Sequence, residues 1–254
     1  MAVKIGSARI DENGNAHGGK AGDQTGREVS TQNWYLHSKG WRVFRCKDPE
    51  KAELMAQNMQ AACDNPNIGY NQWQRHTLYK AAKAVGFVIS KVKTKCETDC
   101  SALIRTLLEL IGVSVPEDFR TGNMPSYLKK SGMFVELTGD KYQKKSDYLR
   151  RGDILVTKTS GHTVMVLSDG PKAEKNVPAV ATAKPSGPAV RVVGNTVYIR
   201  SAPGTGARVL GIVKRGDLLA YQGEKYMLGN ILWYLIVYKG QNGWISGKYS
   251  EIVR

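Results

Sequence analysis

The sequence predicts two domains, an α+β domain at residues 1–170 and a small all-β domain at residues 189–254. In the first, helical patterns come before strand-like runs, which is typical of α+β folds. In the second, short runs rich in Val, Ile, Tyr and Trp alternate with Gly-Asn, Pro-Gly and Asn-Gly turns. Between them, residues 171–188 are rich in Pro, Ala, Lys and Gly and lack a hydrophobic period, so we interpret them as a linker.

The first forty residues include the glycine-rich stretch "GNAHGGKAGDQTGREV", for which a plain surface loop is the commoner interpretation. The first helix is expected after Asp48, an N-cap residue followed by a proline at the first helical position. A second helix is expected from Asn71, as its cap, to Gly86. The third begins at Cys100 and carries a broad apolar stripe as far as Gly112, so it should be buried.

A short helix, "MPSYLKKSG", and three strands should complete the first domain. The strands are expected in "MFVELTG", "DILVTKT" and "HTVMVLSD". Ser160 and Gly161 should join the last two in a tight hairpin. This hairpin would place His162 at the start of a strand.

The net charge of +15 is the strongest compositional signal, because such a field favours polyanionic partners. Residues 171–254 hold twelve Lys/Arg against four Asp/Glu, and so contribute +8 of this charge. Nucleic acid, anionic membranes and anionic wall polymers are all partners that such a positive charge would attract. However, the chain has no arginine-rich arm, zinc finger, RNP-like strand or helix-turn-helix pattern, so we do not expect nucleic acid as a partner.

No apolar run approaches the roughly 18 residues that a spanning helix needs, so membrane insertion is not expected. The amino-terminal residues lack the apolar core of a secretion signal, and we expect synthesis in the cytoplasm without an encoded export route. The four cysteines are expected to be free thiols. No His, Asp, Glu or Cys cluster has metal-site spacing, so neither a metal nor another cofactor is expected.

Cys100 lies in the first turn of the third predicted helix, where backbone N–H groups favour an anion and should lower the pKa of the thiol. The alternative is a small buried hydrophobe, as most free cysteines are. The presence of His162 favours a reactive thiol over a buried hydrophobe, because a nucleophilic thiol needs a base held on a rigid element.

The segments "TDCSALIR" and "RRGDILV" with "GHTVMVL" resemble the cysteine peptidoglycan hydrolases of the NlpC-type and CHAP families. The resemblance covers roughly residues 65–168. It implies a papain-like catalytic domain with Cys100 as nucleophile and His162 as base. "NIGYNQ" is similar to the Gly-x-Tyr segment before the cysteine in NlpC-type enzymes, which implies that Tyr70 lies beside the thiol and binds substrate.

The sequence departs from these families after the histidine strand, where a third polar residue usually orients the imidazole. Here the chain passes from Ser168 and Asp169 into the linker. The amino-terminal segment carries His17, Asp23 and Gln24 and could return to the site to supply that group, and Asp23 and Gln24 are the candidates for binding substrate. A plain surface loop, or a dyad completed by a backbone carbonyl, are the alternatives.

Residues 190–254 resemble the bacterial SH3-like wall-binding modules, through "GNTVYIRSAPGTGARVLGIVKRGD" and the closing "WYLIVYKGQNGWISGKYSEI". The resemblance implies binding to the cell wall, including anionic wall polymers. Most aromatic residues of so small a barrel should belong to its core, and we expect at most one or two exposed. The four in question are Trp233, Tyr234, Trp244 and Tyr249.

Together the two resemblances imply a peptidoglycan hydrolase with the layout of a phage endolysin, monomeric and waiting in the host cytoplasm until the membrane is opened. A D,L-endopeptidase is the expected activity. The alternatives are an N-acetylmuramoyl-L-alanine amidase, a papain-like transferase or deamidase, and a non-catalytic wall-binding protein. A bacterial autolysin is a further alternative, which the initiator Met1 disfavours.

Overall fold

The computed structural model describes residues 2–22, 24–173 and 187–253. The chain divides into two compact units, one within residues 1–177 and one within residues 178–254. The expected linker at 171–188 falls mostly outside the described residues. Within the described part of the chain, no helix has both the length and the apolar character needed to cross a membrane.

The first unit contains a six-stranded antiparallel sheet and a separate pair of short parallel strands. The strands are β1 (Lys4–Ala8), β2 (Val29–Asn33), β3 (Trp41–Cys46), β4 (Ile68–Tyr70), β5 (Cys96–Thr98), β6 (Phe134–Leu137), β7 (Ile154–Thr157) and β8 (Thr163–Val166). The order in the large sheet is β2-β1-β8-β7-β3-β6, and β4 pairs with β5. The predicted β7–β8 hairpin is confirmed, but its connection spans residues 158–162 and is longer than the tight turn expected at Ser160 and Gly161.

Three strands of this sheet, β1 to β3, precede every helix, so the expectation of helices first and strands afterwards is wrong for the amino-terminal part. Each is only five or six residues long, and β1 is buried at every position after Lys4. A strand covered on both faces lacks the alternation that identifies strands in a sequence. The first forty residues are therefore partly sheet and not only a surface loop.

The two ends of the first unit meet in the middle of its sheet. Strand β1 pairs with β8, with Ile5 opposite Val166. The carbonyl of Lys4 accepts a hydrogen bond from the backbone N–H of Leu167 at 2.7 Å, and the backbone N–H of Lys4 donates to the Ser168 hydroxyl at 2.8 Å. The earliest and latest parts of the unit thus share one core, in which Ile5, Val164 and Val166 pack together.

The helices are α1 (Pro49–Cys63), α2 (Thr77–Ala84), α3 (Cys100–Leu110), α4 (Met124–Lys130) and α5 (Asp140–Gln143). The cap predicted for α1 is confirmed, since the Asp48 carboxylate accepts from the backbone N–H groups of Glu50 and Lys51 at 2.9 and 3.2 Å. The buried α3 and the short α4 are confirmed as well. A single 3-10 turn lies at Ile89–Lys91.

The second predicted helix begins five residues later than expected, since its cap is His76 and not Asn71. The Asn71 side chain accepts from the backbone N–H groups of Trp73 and Gln74, at 2.7 and 3.0 Å. It thereby closes a local turn that competes with helix formation. The helix α2 starts only at Thr77, after His76.

The second unit is all-β, as predicted. Its strands are β9 (Ala189–Val192), β10 (Thr196–Arg200), β11 (Val209–Lys214), β12 (Leu218–Leu228), β13 (Ile231–Tyr238), β14 (Gln241–Ser246) and β15 (Ser250–Val253). They form an antiparallel sheet in the order β11-β10-β14-β13-β12-β9-β15 around a core that includes Val190, Ile199 and Ile236. Of the four aromatic residues considered from the sequence, Trp233 is buried and Tyr249 is exposed, whereas Trp244 is partly covered and Tyr234 packs against the core.

Candidate active site

Cys100 is the first residue of α3 and follows the buried strand β5 after a single residue, Asp99. Asp99 is the N-cap, and its side chain accepts from the Ala102 N–H at 2.7 Å and from the Ser101 hydroxyl at 3.0 Å. Strand, cap and helix together fix the position of the thiol. Sequence and structure agree on this start of α3.

An ion pair stabilises the start of α3. Arg75 Nε lies 2.7 Å from Asp99 Oδ2, and both side chains are nearly buried. The Arg75 guanidinium also donates to the Ser101 hydroxyl at 2.8 Å and to the Phe119 carbonyl at 2.7 Å. One guanidinium therefore ties the turn before α2 to the cap of α3 and to the loop before α4.

The Cys100 sulfur lies near the backbone N–H groups of Thr163, at the start of β8, and of Ser101, and both groups favour the thiolate. Burial raises the pKa of the thiol to about 12, helped by the Asp99 carboxylate, and this outweighs the two N–H groups and Arg75. The expectation that the helix N-terminus lowers this pKa below its usual value is therefore wrong. The resting sulfur is a thiol, because desolvation exceeds the helix effect.

His162 immediately precedes β8, and its backbone is fixed by Thr157. Its N–H donates to the Thr157 hydroxyl at 3.1 Å, and its carbonyl accepts from the Thr157 N–H at 3.0 Å. Burial lowers the pKa of the imidazole to about 4, and the charges of His37 and Arg9 act in the same direction. The ring is consequently neutral near pH 7 and can accept a proton.

The structure brings Cys100 near the segment that carries His162, since the sulfur lies close to the backbone N–H of Thr163, the next residue along the chain. Within the described residues, no hydrogen bond joins the thiol to the imidazole. Catalytic hydrogen bonds are often long in unliganded enzymes and shorten when substrate binds. The site therefore holds a thiol and a neutral imidazole, the two groups that a nucleophilic cysteine and its base require.

Tyr70 is 3% exposed and lies close enough to Cys100 for the two to influence each other electrostatically. Its hydroxyl donates to the Ala16 carbonyl at 3.1 Å and accepts from the Gln72 side chain at 3.1 Å. Burial, with the nearby Cys100, raises the pKa of the phenol above its usual value. The hydroxyl proton is therefore engaged within the protein.

Of the two candidate residues in the amino-terminal segment, Asp23 and Gln24, the structure describes only Gln24. Asp23 lies outside the described residues. The side chain of Gln24 donates to the Ile68 carbonyl and accepts from the Val29 N–H at 3.5 Å. Gln24 thus ties the segment to β4, and the structure does not bring it to the thiol.

Sequence reasoning missed His37, which lies in the connection between β2 and β3. Its ring centroid is 6.4 Å from that of His162, and Trp41 lies 5.3 and 6.5 Å from the two rings. His37 Nδ1 accepts from the backbone N–H of Lys39 at 3.0 Å, which leaves the ring proton of the neutral form on Nε2. A histidine just before a tryptophan-led strand would have been the signal, but that strand was not predicted.

An open cleft of about 340 Å³ adjoins the thiol. Its lining comes from the start of α3, from the turn before α2 and from the loops before α4 and β8. The residues are Asp99, Cys100, Ser101, Gln72, Trp73, Arg75, Arg120, Thr121 and Gly161. Cys100 is thus one of the residues that a molecule bound in this cleft would meet.

A buried carboxyl group lies outside this cleft. Glu97 in β5 is 1% exposed, and burial, followed by the charges of Glu12 and Glu28, raises its pKa to about 7. In the part of the chain that the structure describes, no group of three or more His, Cys, Asp or Glu residues could hold a metal ion.

Comparison with known families and proteins gives two matches. Residues 5–173 match a family model described as an endolysin-like domain, and residues 195–251 match a bacterial SH3 domain. Searches of curated proteins and of solved structures found no significant match.

Proposed function

This chain belongs to the endolysin-like domain family, and from that premise we propose that it is a peptidoglycan hydrolase using Cys100 as nucleophile and His162 as base. An endolysin-like domain together with a bacterial SH3 domain supports action on the cell wall. The observation that carries the cysteine mechanism is the position of the Cys100 sulfur. It lies at a helix N-terminus, beside an open cleft and next to a neutral histidine.

The first chemical step is attack of the sulfur on an amide carbonyl carbon. Because the thiol and the imidazole are both neutral at rest, His162 removes the proton as the carbon–sulfur bond forms. The carbonyl oxygen becomes an oxyanion, which the backbone N–H of Cys100 can stabilise by roughly 3 kcal/mol. Tyr70 would contribute only after its hydroxyl leaves the Ala16 carbonyl.

The second half of the reaction restores the enzyme. The imidazolium of His162 protonates the amine nitrogen as the carbon–nitrogen bond breaks, which leaves a thioester on Cys100. Water then attacks the thioester carbonyl, giving a proton to His162, and the thiol and a free carboxylic acid are regenerated. No group beyond the chain and water is required.

The fold of the first unit supports a papain-like arrangement, with the nucleophile at the start of a buried helix and the base beside a strand of an antiparallel sheet. On the family resemblance we propose cleavage within the stem peptide, as by a D,L-endopeptidase. Cleavage between N-acetylmuramic acid and L-alanine is the alternative. In the phage-endolysin layout that we propose, the SH3 domain holds a monomer on the wall once the membrane has been opened.

The test is a turbidity assay on bacterial cell walls with wild type and Cys100→Ser, followed by mass spectrometry of the fragments. The variant should unfold at the same temperature and lose lytic activity at least a hundredfold, since an alcohol is a much weaker nucleophile than a thiol at this site. New amino termini within the stem identify an endopeptidase, and free L-alanine amino termini identify an amidase. Equal lysis by both proteins would contradict the mechanism.

A further inference from the structure

We propose that Arg120 and Trp73 form a subsite that selects stem peptides with a free carboxylate near the scissile amide over peptides in which that carboxylate is amidated. This inference rests on the proposed function and adds the chemistry by which the same cleft chooses its substrate.

The charges in the cleft favour an anion. Arg75 and Asp99, both in the lining, neutralise each other in the ion pair that fixes the start of α3. Arg120 is exposed, and the structure assigns its guanidinium neither an ion pair nor a hydrogen bond with any described residue. The cleft therefore presents one uncommitted positive charge next to the nucleophile.

The other polar groups of the lining are largely engaged within the protein. The Ser101 hydroxyl bonds to Arg75 and Asp99, and the Thr121 hydroxyl accepts from the Gly161 N–H at 3.0 Å. The side-chain nitrogen of Gln72 donates to Tyr70. Among these groups, Arg120 is the one best able to recognise a charged part of the substrate.

The backbone of Arg120 is held in a defined turn. Its N–H donates to the Asn123 side chain at 2.7 Å, and its carbonyl accepts from the backbone N–H groups of Asn123 and Met124 at 3.1 and 2.8 Å. The guanidinium therefore starts from a fixed point. Its planar fork suits a carboxylate, with which it can form two parallel hydrogen bonds, and an amide offers neither the charge nor the second acceptor.

Trp73 supplies an apolar face on the same cleft. Its side chain is 82% exposed, the largest value among the exposed large hydrophobic residues of the described chain. The Asn71 side chain fixes the turn that presents it. An indole held open to solvent beside a nucleophile can pack on the substrate backbone without discriminating between carboxylate and amide.

Besides its carboxyl terminus, a stem peptide with a dicarboxylic diamino acid offers two carboxylates of the required chemistry, the α-carboxylate of the glutamate residue and the free carboxylate of the diamino acid. Both can be replaced by carboxamides without changing the length or the shape of the peptide. We therefore use two matched pairs of synthetic stem peptides, one pair for each position. Within a pair, one peptide has the carboxylate and the other the carboxamide, which isolates the effect of the negative charge on binding.

The experiment measures binding by calorimetry to full-length Cys100→Ala, which cannot turn over, and hydrolysis by the wild type. We expect one carboxylate peptide to bind at least tenfold more tightly than its carboxamide partner. Adding Arg120→Gln should abolish this preference, and Lys130→Gln should keep it, since Lys130 is an exposed cation outside the cleft. Trp73→Ala should weaken binding of both partners by a similar factor.

Equal affinities within both peptide pairs would overturn the proposed subsite. A preference for the carboxylate peptide that survives Arg120→Gln would overturn it as well. Both conclusions would hold even if the wild type hydrolyses every peptide. Failure of the proposed function has a different signature. In that case the wild type releases no product from any of the four peptides or from walls.

Discussion

At the residue scale, the Cys100 thiol is subject to opposing influences. The backbone N–H groups of Ser101 and Thr163 and the charge of Arg75 favour the thiolate, whereas burial and Asp99 disfavour it. Burial dominates and raises the pKa to about 12. The same effect acts on His162 in the opposite sense and lowers its pKa to about 4, so the resting pair is neutral.

The pH dependence of the reaction follows from this neutral pair. His162 accepts a proton only in its neutral form, which is present above its pKa, so kcat/KM should fall on the acid side with a midpoint near pH 4. An unperturbed histidine would give a midpoint near about 6.5. The measurement is kcat/KM on a soluble stem peptide between pH 3 and 9.

Circular dichroism at each pH would separate this titration from acid unfolding. In His37→Gln, the acid limb should move to higher pH, because the charge of His37 contributes to lowering the pKa of His162. A wild-type midpoint near about 6.5 would contradict the lowered pKa of His162.

The buried Glu97 should make stability depend on pH. Its pKa of about 7 in the folded protein exceeds the unfolded value of about 4.5, so the folded state keeps a proton that the unfolded state loses as the pH rises between these values. The free energy of unfolding therefore decreases from pH 4.5 to 7. Glu97→Gln should stabilise the protein by on the order of 1–3 kcal/mol at pH 8 and have little effect at pH 4.

Denaturant midpoints at the two pH values would measure this difference. Glu136→Gln is a suitable control, because Arg42 holds the pKa of that carboxyl below its usual value. The control should not gain stability at pH 8. If the stability difference between Glu97→Gln and the wild type is the same at pH 4 and at pH 8, Glu97 is not a buried, protonated carboxyl group.

At the scale of elements, the start of α3 depends on Asp99 in two ways, as the cap of the helix and as the partner of Arg75. The start of α1 depends on Asp48 as a cap alone. Removing one member of a nearly buried ion pair leaves an uncompensated charge, which costs more than losing a cap. Comparing the two helices therefore separates the contribution of the ion pair to stability from that of the cap.

Asp99→Ala should lower the free energy of unfolding by about 3 kcal/mol, and Asp48→Ala by about 1 kcal/mol. Urea unfolding of both variants gives the comparison. Asp99→Ala should also reduce wall hydrolysis, because Cys100 loses the cap that positions it. Equal losses of stability would show that the ion pair contributes nothing beyond the cap.

The sequence was most informative where a local rule determined the structure. Asp48, the apolar stripe after Cys100 and the Ser160-Gly161 turn predicted α1, α3 and the β7–β8 hairpin. The short strands β1 and β3 were missed because most of their positions are buried on either face, which weakens the alternation, and β2 was missed because it is short and polar. Asn71 was misinterpreted as a helix cap, because its side chain closes a turn instead.

In the candidate site, too, local sequence features predicted some residues, whereas residues that depend on tertiary packing were missed. Cys100 and His162 stood out because one begins a helix and the other follows a hairpin. His37 and Arg120 did not, since His37 reaches His162 only through the pairing of β3 with β7, and Arg120 reaches the cleft only through the packing of its loop. The pKa of the thiol was misjudged, because a helix N-terminus can be recognised in a sequence and burial of one sulfur atom cannot.

At the scale of the whole molecule, the chain combines an endolysin-like domain with a bacterial SH3 domain. Residues 171–254 contribute +8 to the net charge of +15. A positively charged wall-binding domain attached to a hydrolase raises the local concentration of the enzyme at an anionic wall. Its contribution should therefore appear on walls and not on small soluble peptides.

Removing residues 178–254 should leave hydrolysis of a soluble stem peptide within about twofold and reduce wall lysis at least tenfold. The same comparison at low and at high salt should show lysis by the full chain falling toward that of the truncated protein, since salt screens the attraction. Turbidity and peptide assays run in parallel measure both quantities. A parallel loss in the two assays would instead indicate that the first unit needs the second to fold.

The pairing of β1 with β8 has a consequence for how the protein is made. A ribosome releases residues 4–8 long before residues 163–166, so this interior strand pair of the first unit closes only when nearly all of that unit has emerged. Such high contact order slows folding, because a long loop must be closed before the contact stabilises it. Since β8 also carries the backbone N–H nearest the Cys100 sulfur, the proposed nucleophile reaches its final surroundings only at the end of this process. The nascent chain therefore holds no assembled candidate site during most of its synthesis.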